Sequence, residues 1–212
     1  MNKQNTQPTF SWYCSVYAHK YTNQLRDTCK HFFSGKGIPP SHSDKLKVVK
    51  EYYLQFKPSV FVETGTYLGH MIHSVHSWFS QTHSIELDPV FHTRAVNRFS
   101  QYPTVSIHLG DSTTMLPKVI ESVQTPILFW LDAHYFGGVT ALGMEETPIL
   151  KELYSIFQHP VKNHIILIDD ARCFTGEDGY PTPKDLTEFV AKHRPDLLCD
   201  IRRDVIRIVP KA

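Results

Sequence analysis

From position 59 onward the chain alternates short, β-branched apolar runs with longer stretches in which apolar residues recur every three or four positions. The first kind reads as buried strand and the second as amphipathic helix. The strand candidates are SVFVET (59–64), HSIELD (83–88), TVSIHL (104–109), PILFWLDA (126–133) and NHIILIDD (163–170). Between them, Met71, Ile72, Val75, Trp78 and Phe79 keep helical spacing, as do Phe91, Ala95 and Phe99. Asp88-Pro89, Thr147-Pro148 and Thr182-Pro183 each place a capping side chain before a proline suited to the first helical turn. The tail LLCDIRRDVIRIVP reads as an antiparallel hairpin turning near Arg203-Asp204. This alternation predicts an α/β chain: a doubly wound, Rossmann-like, mostly parallel sheet of about seven strands, closed by the C-terminal hairpin.

Residues 1–58 follow a different pattern, rich in tyrosine and phenylalanine, with helices expected at roughly 15–33 and 43–56 around SGKGIPP. They hold no core of their own. The expected division is therefore a helical N-terminal extension, 1–58, packing on or reaching over a main domain, 59–212.

Composition narrows the function classes. At 212 residues, 41% hydrophobic and 20% charged, the chain suits one soluble domain with a sizeable core. Lysine and arginine number 22 against 21 acids, without a run of like charge, which argues against a nucleic-acid partner. Cys14, Cys29, Cys173 and Cys199 lie too far apart for a metal knuckle or a disulfide scaffold and read as reduced thiols. With no secretory leader pattern and no apolar run of membrane length, a cytoplasmic protein without a membrane partner is expected.

In doubly wound sheets, ligands sit outside the carboxyl ends of the strands. Each of the five strand candidates ends on or just before an acid: Glu63, Glu86, Asp111, Asp132, and the pair Asp169-Asp170. The first strand runs into Glu63-Thr64-Gly65-Thr66 and on to Gly69, a glycine turn that lacks the third glycine of the dinucleotide fingerprint. Glu86 suits the two hydroxyls of a ribose, which does not separate a nicotinamide dinucleotide from S-adenosylmethionine.

Taken together, ETGTYLG (63–69), IELD (85–88) and GDS (110–112) resemble the cofactor pocket of class I S-adenosylmethionine-dependent methyltransferases, over residues 59 to about 172. That resemblance implies that the turn of Glu63, Thr64, Gly65, Thr66 and Gly69 approaches the methionine part of the cofactor. It assigns Glu86 to the ribose and Asp111, with Ser112, to the adenine end. LFWLDAHY (128–135) and IILIDDAR (165–172) are similar to the metal-dependent O-methyltransferases of the catechol and macrolide-sugar types. By that similarity Asp132, Asp169 and Asp170 are Mg2+ ligands, Asp132 also borders the cofactor and the reacting atoms, and His134 is the candidate general base. The three acids also suit Mg2+ on their own, since that ion takes oxygen ligands. In the catechol type the second member of the pair is an amide, whereas here both are acids.

The implied activity is a Mg2+-dependent O-methyltransferase using S-adenosylmethionine, with a hydroxyl of a small molecule or sugar as acceptor. Two alternatives stay open: a metal-independent methyltransferase in which Asp132 contacts substrate directly, and a non-catalytic S-adenosylmethionine-binding protein. Single residues carry alternatives too. Glu63 either bonds the amides of its own glycine turn or contacts cofactor indirectly; Asp88 reads as a helix cap; Arg172 could neutralise Asp169 and Asp170 without a metal. His134 is a base or a loop histidine, His70, His73 and His76 read as a solvated stripe, and Trp130 and Tyr135 read as packing residues. The loops 135–146, with Glu145 and Glu146, and 173–181 leave the same sheet edge and could close over substrate. Acceptor identity and oligomeric state are not legible.

Overall fold

Seven strands pair in the order β3-β2-β1-β4-β5-β7-β6 in a computed structural model of the chain, which describes residues 39–132, 148–177 and 179–211. The strands are β1 (Val60–Thr64), β2 (Gln81–Glu86), β3 (Val105–Leu109), β4 (Ile127–Leu131), β5 (Ile165–Ile168), β6 (Leu197–Arg202) and β7 (Val205–Pro210). The first five are parallel; β7 runs antiparallel to β5 and β6 antiparallel to β7. All seven expected strands are present, β2 lying two residues earlier than its apolar run suggests. Contacts divide the chain into Met1–Pro39 and Pro40–Ala212, and the architecture here is that of the second unit. The helix expected at 15–33, Cys14, Cys29, His134, Tyr135, Glu145, Glu146 and Thr147 fall outside the described residues.

The helices are α1 (His42–Phe56), α2 (His70–Val75), α3 (Pro89–Phe99), α4 (Ser112–Ile120), α5 (Pro148–Gln158) and α6 (Pro183–His193). Strand residues alternate between two cores, as the period of two requires. Val60, Val62, Phe129, Leu131 and Ile166 pack with α4, α5 and α6. Phe61, Leu128, Trp130, Ile165 and Leu167 pack with α1 and α2 through Val48, Val49, Tyr52 and Met71. Trp130 is thus a packing residue, as expected. Part of the expected N-terminal extension, α1, belongs to this second core. A sheet covered on both faces explains why β4 and β5 are apolar throughout.

Caps match the sequence signals. Asp88 Oδ1 accepts from the amides of Val90 and Phe91, and Thr182 forms a reciprocal capping box with Asp185. The hairpin turns at Arg203 and Asp204, both at positive φ (52° and 64°), the two-residue geometry that matches strand twist.

Candidate active site

The parallel strands bring their acid-bearing ends to one edge of the sheet. There Gly65, at φ 87°, turns the chain out of β1 while its amide bonds the Ile85 carbonyl of the neighbouring strand. Gly69, at φ 68°, opens α2, and a β-carbon there would stand 2.8 Å from the ring of buried Phe99. Close packing of α3 on the turn therefore demands this glycine.

Glu86, at the end of β2, is almost fully buried. One of its carboxylate oxygens accepts from the Tyr67 amide (2.7 Å) and the other from the Asp88 amide (2.9 Å). It thereby ties the glycine turn to the start of α3, and a carboxylate has lone pairs left for a further donor. Glu63 does not bond its own glycine turn through a side-chain contact seen here. Its Oε2 accepts from Ser84 Oγ (2.7 Å), and Ser84, having one proton, accepts in turn from Thr66 Oγ1 (2.6 Å). Burial holds the Glu63 carboxyl well above the usual range, the Ser84 bond opposes this, and the charges of Asp132 and Glu86 add to it. Asp111 is exposed and caps α4, its Oδ1 accepting from the Thr113 amide (2.8 Å) and hydroxyl. Ser112 is the first residue of that helix.

At the ends of β4 and β5 the three predicted metal acids converge. Asp132, Asp169 and Asp170 each offer a carboxylate oxygen within 4.8 Å of the others. Backbone bonds set two of them: the Asp132 amide reaches the Thr64 carbonyl, and the Asp169 amide reaches Leu131. Asp170 takes a left-handed φ of 54°, and its amide donates to Asp169 Oδ1 (2.8 Å). Arg172 donates to Asp170 (2.7 Å) and pairs with Asp204 in the hairpin turn, so the arginine considered at the sequence level does contribute.

A second cation was not foreseen. Lys45 Nζ pairs with Asp169 and lies 3.1 Å from Asp170 Oδ1. Its signal was present in the sequence: Lys45 stands three and four residues before Val48 and Val49, on the stripe of α1 that faces the sheet. Burial lowers the lysine's proton affinity, but Asp169, Asp170 and Asp132 more than reverse this, and it stays charged. Asp169 is pushed up to about 8 by burial and by the charges of Asp132 and Asp170, against Lys45.

A small open cleft lies beside these acids, with Leu131, Ile149, Phe174 and Tyr180 as its apolar walls. Phe174 and Tyr180 pack edge to face at 5.2 Å between ring centres. Both lie in the 173–181 segment expected to border substrate.

This strand order, with its reversed last strand and ligand edge, has close counterparts among solved structures. TomG from Streptomyces achromogenes, an O-methyltransferase of tomaymycin synthesis in complex with S-adenosylmethionine, superposes with a TM-score of 0.60 at 13% identity, over 88% of this chain and 89% of that one. The chain has the class I methyltransferase fold. PaMTH1 from Podospora anserina, a methyltransferase bound to S-adenosylhomocysteine, matches with a TM-score of 0.58 at 16% identity, over 98% of this chain and 100% of that one. The 23S rRNA methyltransferase ErmE matches at 0.53 and 14%, over 83% and 70%. No protein-family model and no curated protein matches. The expected exclusion of nucleic acid loses its support here, because this methyltransferase fold also serves an rRNA methyltransferase. Charge balance describes the whole surface and does not exclude a local nucleic-acid contact. No helix among the described residues is long and apolar enough to cross a membrane.

Proposed function

We propose that the chain is an S-adenosylmethionine-dependent O-methyltransferase acting on a hydroxyl of a small molecule. The observation that carries this reading is the convergence of Asp132, Asp169 and Asp170 beside an apolar-walled cleft, on the same sheet edge as the glycine turn. The turn at Gly65 and the anchored Glu86 would hold the cofactor's methionine and ribose parts, with Asp111 and Ser112 bordering the adenine. S-adenosylmethionine supplies an electrophilic methyl group on a good leaving group. The residues then chiefly align an acceptor oxygen with that carbon, and alignment is worth many powers of ten in rate. Leu131, Ile149, Phe174 and Tyr180 would seat the apolar body of the acceptor and exclude water.

Three carboxylates at this spacing are a suitable donor set for Mg2+, which prefers oxygen ligands and leaves positions to water and substrate. Mg2+ held by Asp132, Asp169 and Asp170 would lower the pKa of an acceptor hydroxyl. His134, two residues past Asp132, is the proton acceptor in this reading. The lysine is unsuited to that role, since its neighbours keep it protonated.

A second reading, a metal-independent enzyme, is favoured by Lys45, which already places a positive charge among the three acids. Calorimetry with S-adenosylhomocysteine, followed by methyl-transfer assays on catechols and sugars with and without a chelator, tests both. No binding of S-adenosylhomocysteine sinks the cofactor assignment. Full turnover after exhaustive chelation sinks the Mg2+ assignment and leaves the second reading.

A further inference from the structure

We propose that Lys45 is a tethered competitor of the divalent cation: its ammonium and the metal are alternative occupants of the Asp132–Asp169–Asp170 cluster. The inference rests on the reading of that cluster as a metal site. Its ground is geometric. Lys45 Nζ touches both Asp169 and Asp170, two of the three acids whose oxygens lie within 4.8 Å of one another. A Mg2+ ion would sit about 2.1 Å from those same oxygens. An ammonium and a divalent ion sharing them would stand roughly 4 Å apart, where like charges in a partly buried site repel strongly. The two cannot occupy the cluster together.

The fold also gives Lys45 room to yield. Val48, Val49 and Tyr52 anchor α1 in the core, so the helix itself need not move. The lysine reaches the acids by a flexible four-carbon stem, and its side chain keeps 18% of its exposure. Arg172 is different. It is braced between Asp170 and Asp204, and its backbone amide also donates to Asp204 (2.7 Å), so it remains as a fixed positive neighbour. His42, one turn before Lys45, bonds Ser74 rather than the acids. Among the described residues, Lys45 is therefore the mobile cation of the site, and Arg172 the static one. With the lysine in place the buried acids are partly neutralised without metal; with metal in place the lysine must withdraw toward solvent.

The test uses the full chain and Mn2+ as the probe, titrated by calorimetry and by the electron spin resonance signal of the free ion. Lys45→Met and Lys45→Gln should each bind Mn2+ about 10-fold or more tightly than the unaltered protein, the usual size of a coupling of this kind. Lys45→Arg, which keeps the charge, should not. Glutamine retains polar contact with both carboxylates, so it serves if the methionine variant does not fold. Thermal unfolding supplies a second readout: Mn2+ should raise the midpoint of the glutamine variant more than that of the unaltered protein. Equal or weaker Mn2+ binding by both neutral variants overturns the competition while the metal reading stands. Absence of Mn2+ binding in every protein, the neutral variants included, overturns the metal reading and the competition with it.

Discussion

His159 Nδ1 lies 3.0 Å from His164 Nε2, and both rings are buried on the side of the sheet that carries α4 and α5. The neighbours dictate the protons. Ile127 N donates to His164 Nδ1 (3.1 Å), so His164 must carry its proton on Nε2 and donate to His159. His159 then donates from Nε2 to the Ile120 carbonyl (2.9 Å). His164 is neutral in this arrangement, and a proton added to its Nδ1 would face an amide donor.

This chain of bonds makes stability depend on pH. Burial, and then the neighbouring His159 and the positive Arg194 and Lys162, push His164 down to about 3, below its ordinary value of 6.5. Between those values the unfolded chain binds a proton that the folded chain does not. The contribution is thus complete above pH 6.5 and is lost as pH falls toward 3. Urea unfolding should show His164→Gln, itself less stable, losing about 1 kcal/mol less than the unaltered protein between about pH 7.5 and 5.5. Parallel losses would show that His164 does not resist protonation.

Glu152 slopes the other way. It lies on α5 with no exposure, and neither carboxylate oxygen has a hydrogen-bond partner, although the hydroxyls of Ser112 and Thr64 are near. Burial raises it to about 7, from 4.5. A raised value means that its contribution is complete below pH 4.5 and is lost as pH rises through about 7. Glu152→Met should therefore gain about 1 to 3 kcal/mol over the unaltered protein at about pH 8, the cost of a buried unpaired polar group. The advantage should shrink by about pH 5, and an advantage that is constant with pH would refute the assignment.

Gly69→Ala tests the turn. The substitution forces a left-handed residue with a side chain and presses a β-carbon against the Phe99 ring. A loss of about 2 to 4 kcal/mol is expected, from strain and overpacking together. Weaker S-adenosylhomocysteine binding should accompany it. Unchanged unfolding midpoint and affinity would mean that α3 yields freely.

Glu86→Gln separates anchoring from mere polarity. Glutamine offers one acceptor oxygen where Tyr67 and Asp88 amides now use two. Its amino group would oppose one of those donors, at about 1 to 3 kcal/mol. Calorimetry should show S-adenosylhomocysteine bound about tenfold more weakly or worse; equal affinity would place the ribose elsewhere.

Much of this was legible in the linear pattern because it depends on near neighbours. Buried parallel strands leave apolar runs, helix starts leave Asp88-Pro89 and Thr182-Pro183, and turns leave glycines, so the five parallel strands and the hairpin could be read directly. The acids at the strand ends were legible as well, since a charged residue at the end of an apolar run marks the sheet edge. What those acids touch was not. Lys45 and Asp169 are 124 residues apart, and Arg172 and Asp204 are 32 apart. No local rule relates such positions, because their meeting depends on how α1 and the hairpin turn pack beside β5. Glu152 shows the same limit: its place in the helical stripe of α5 is plain, but only the packed interior decides that both its oxygens lack a partner. The sequence determined the edge and its acids through periodicity and short-range sterics. Tertiary packing decided their charge balance, because Coulomb interactions follow distance in space rather than distance along the chain.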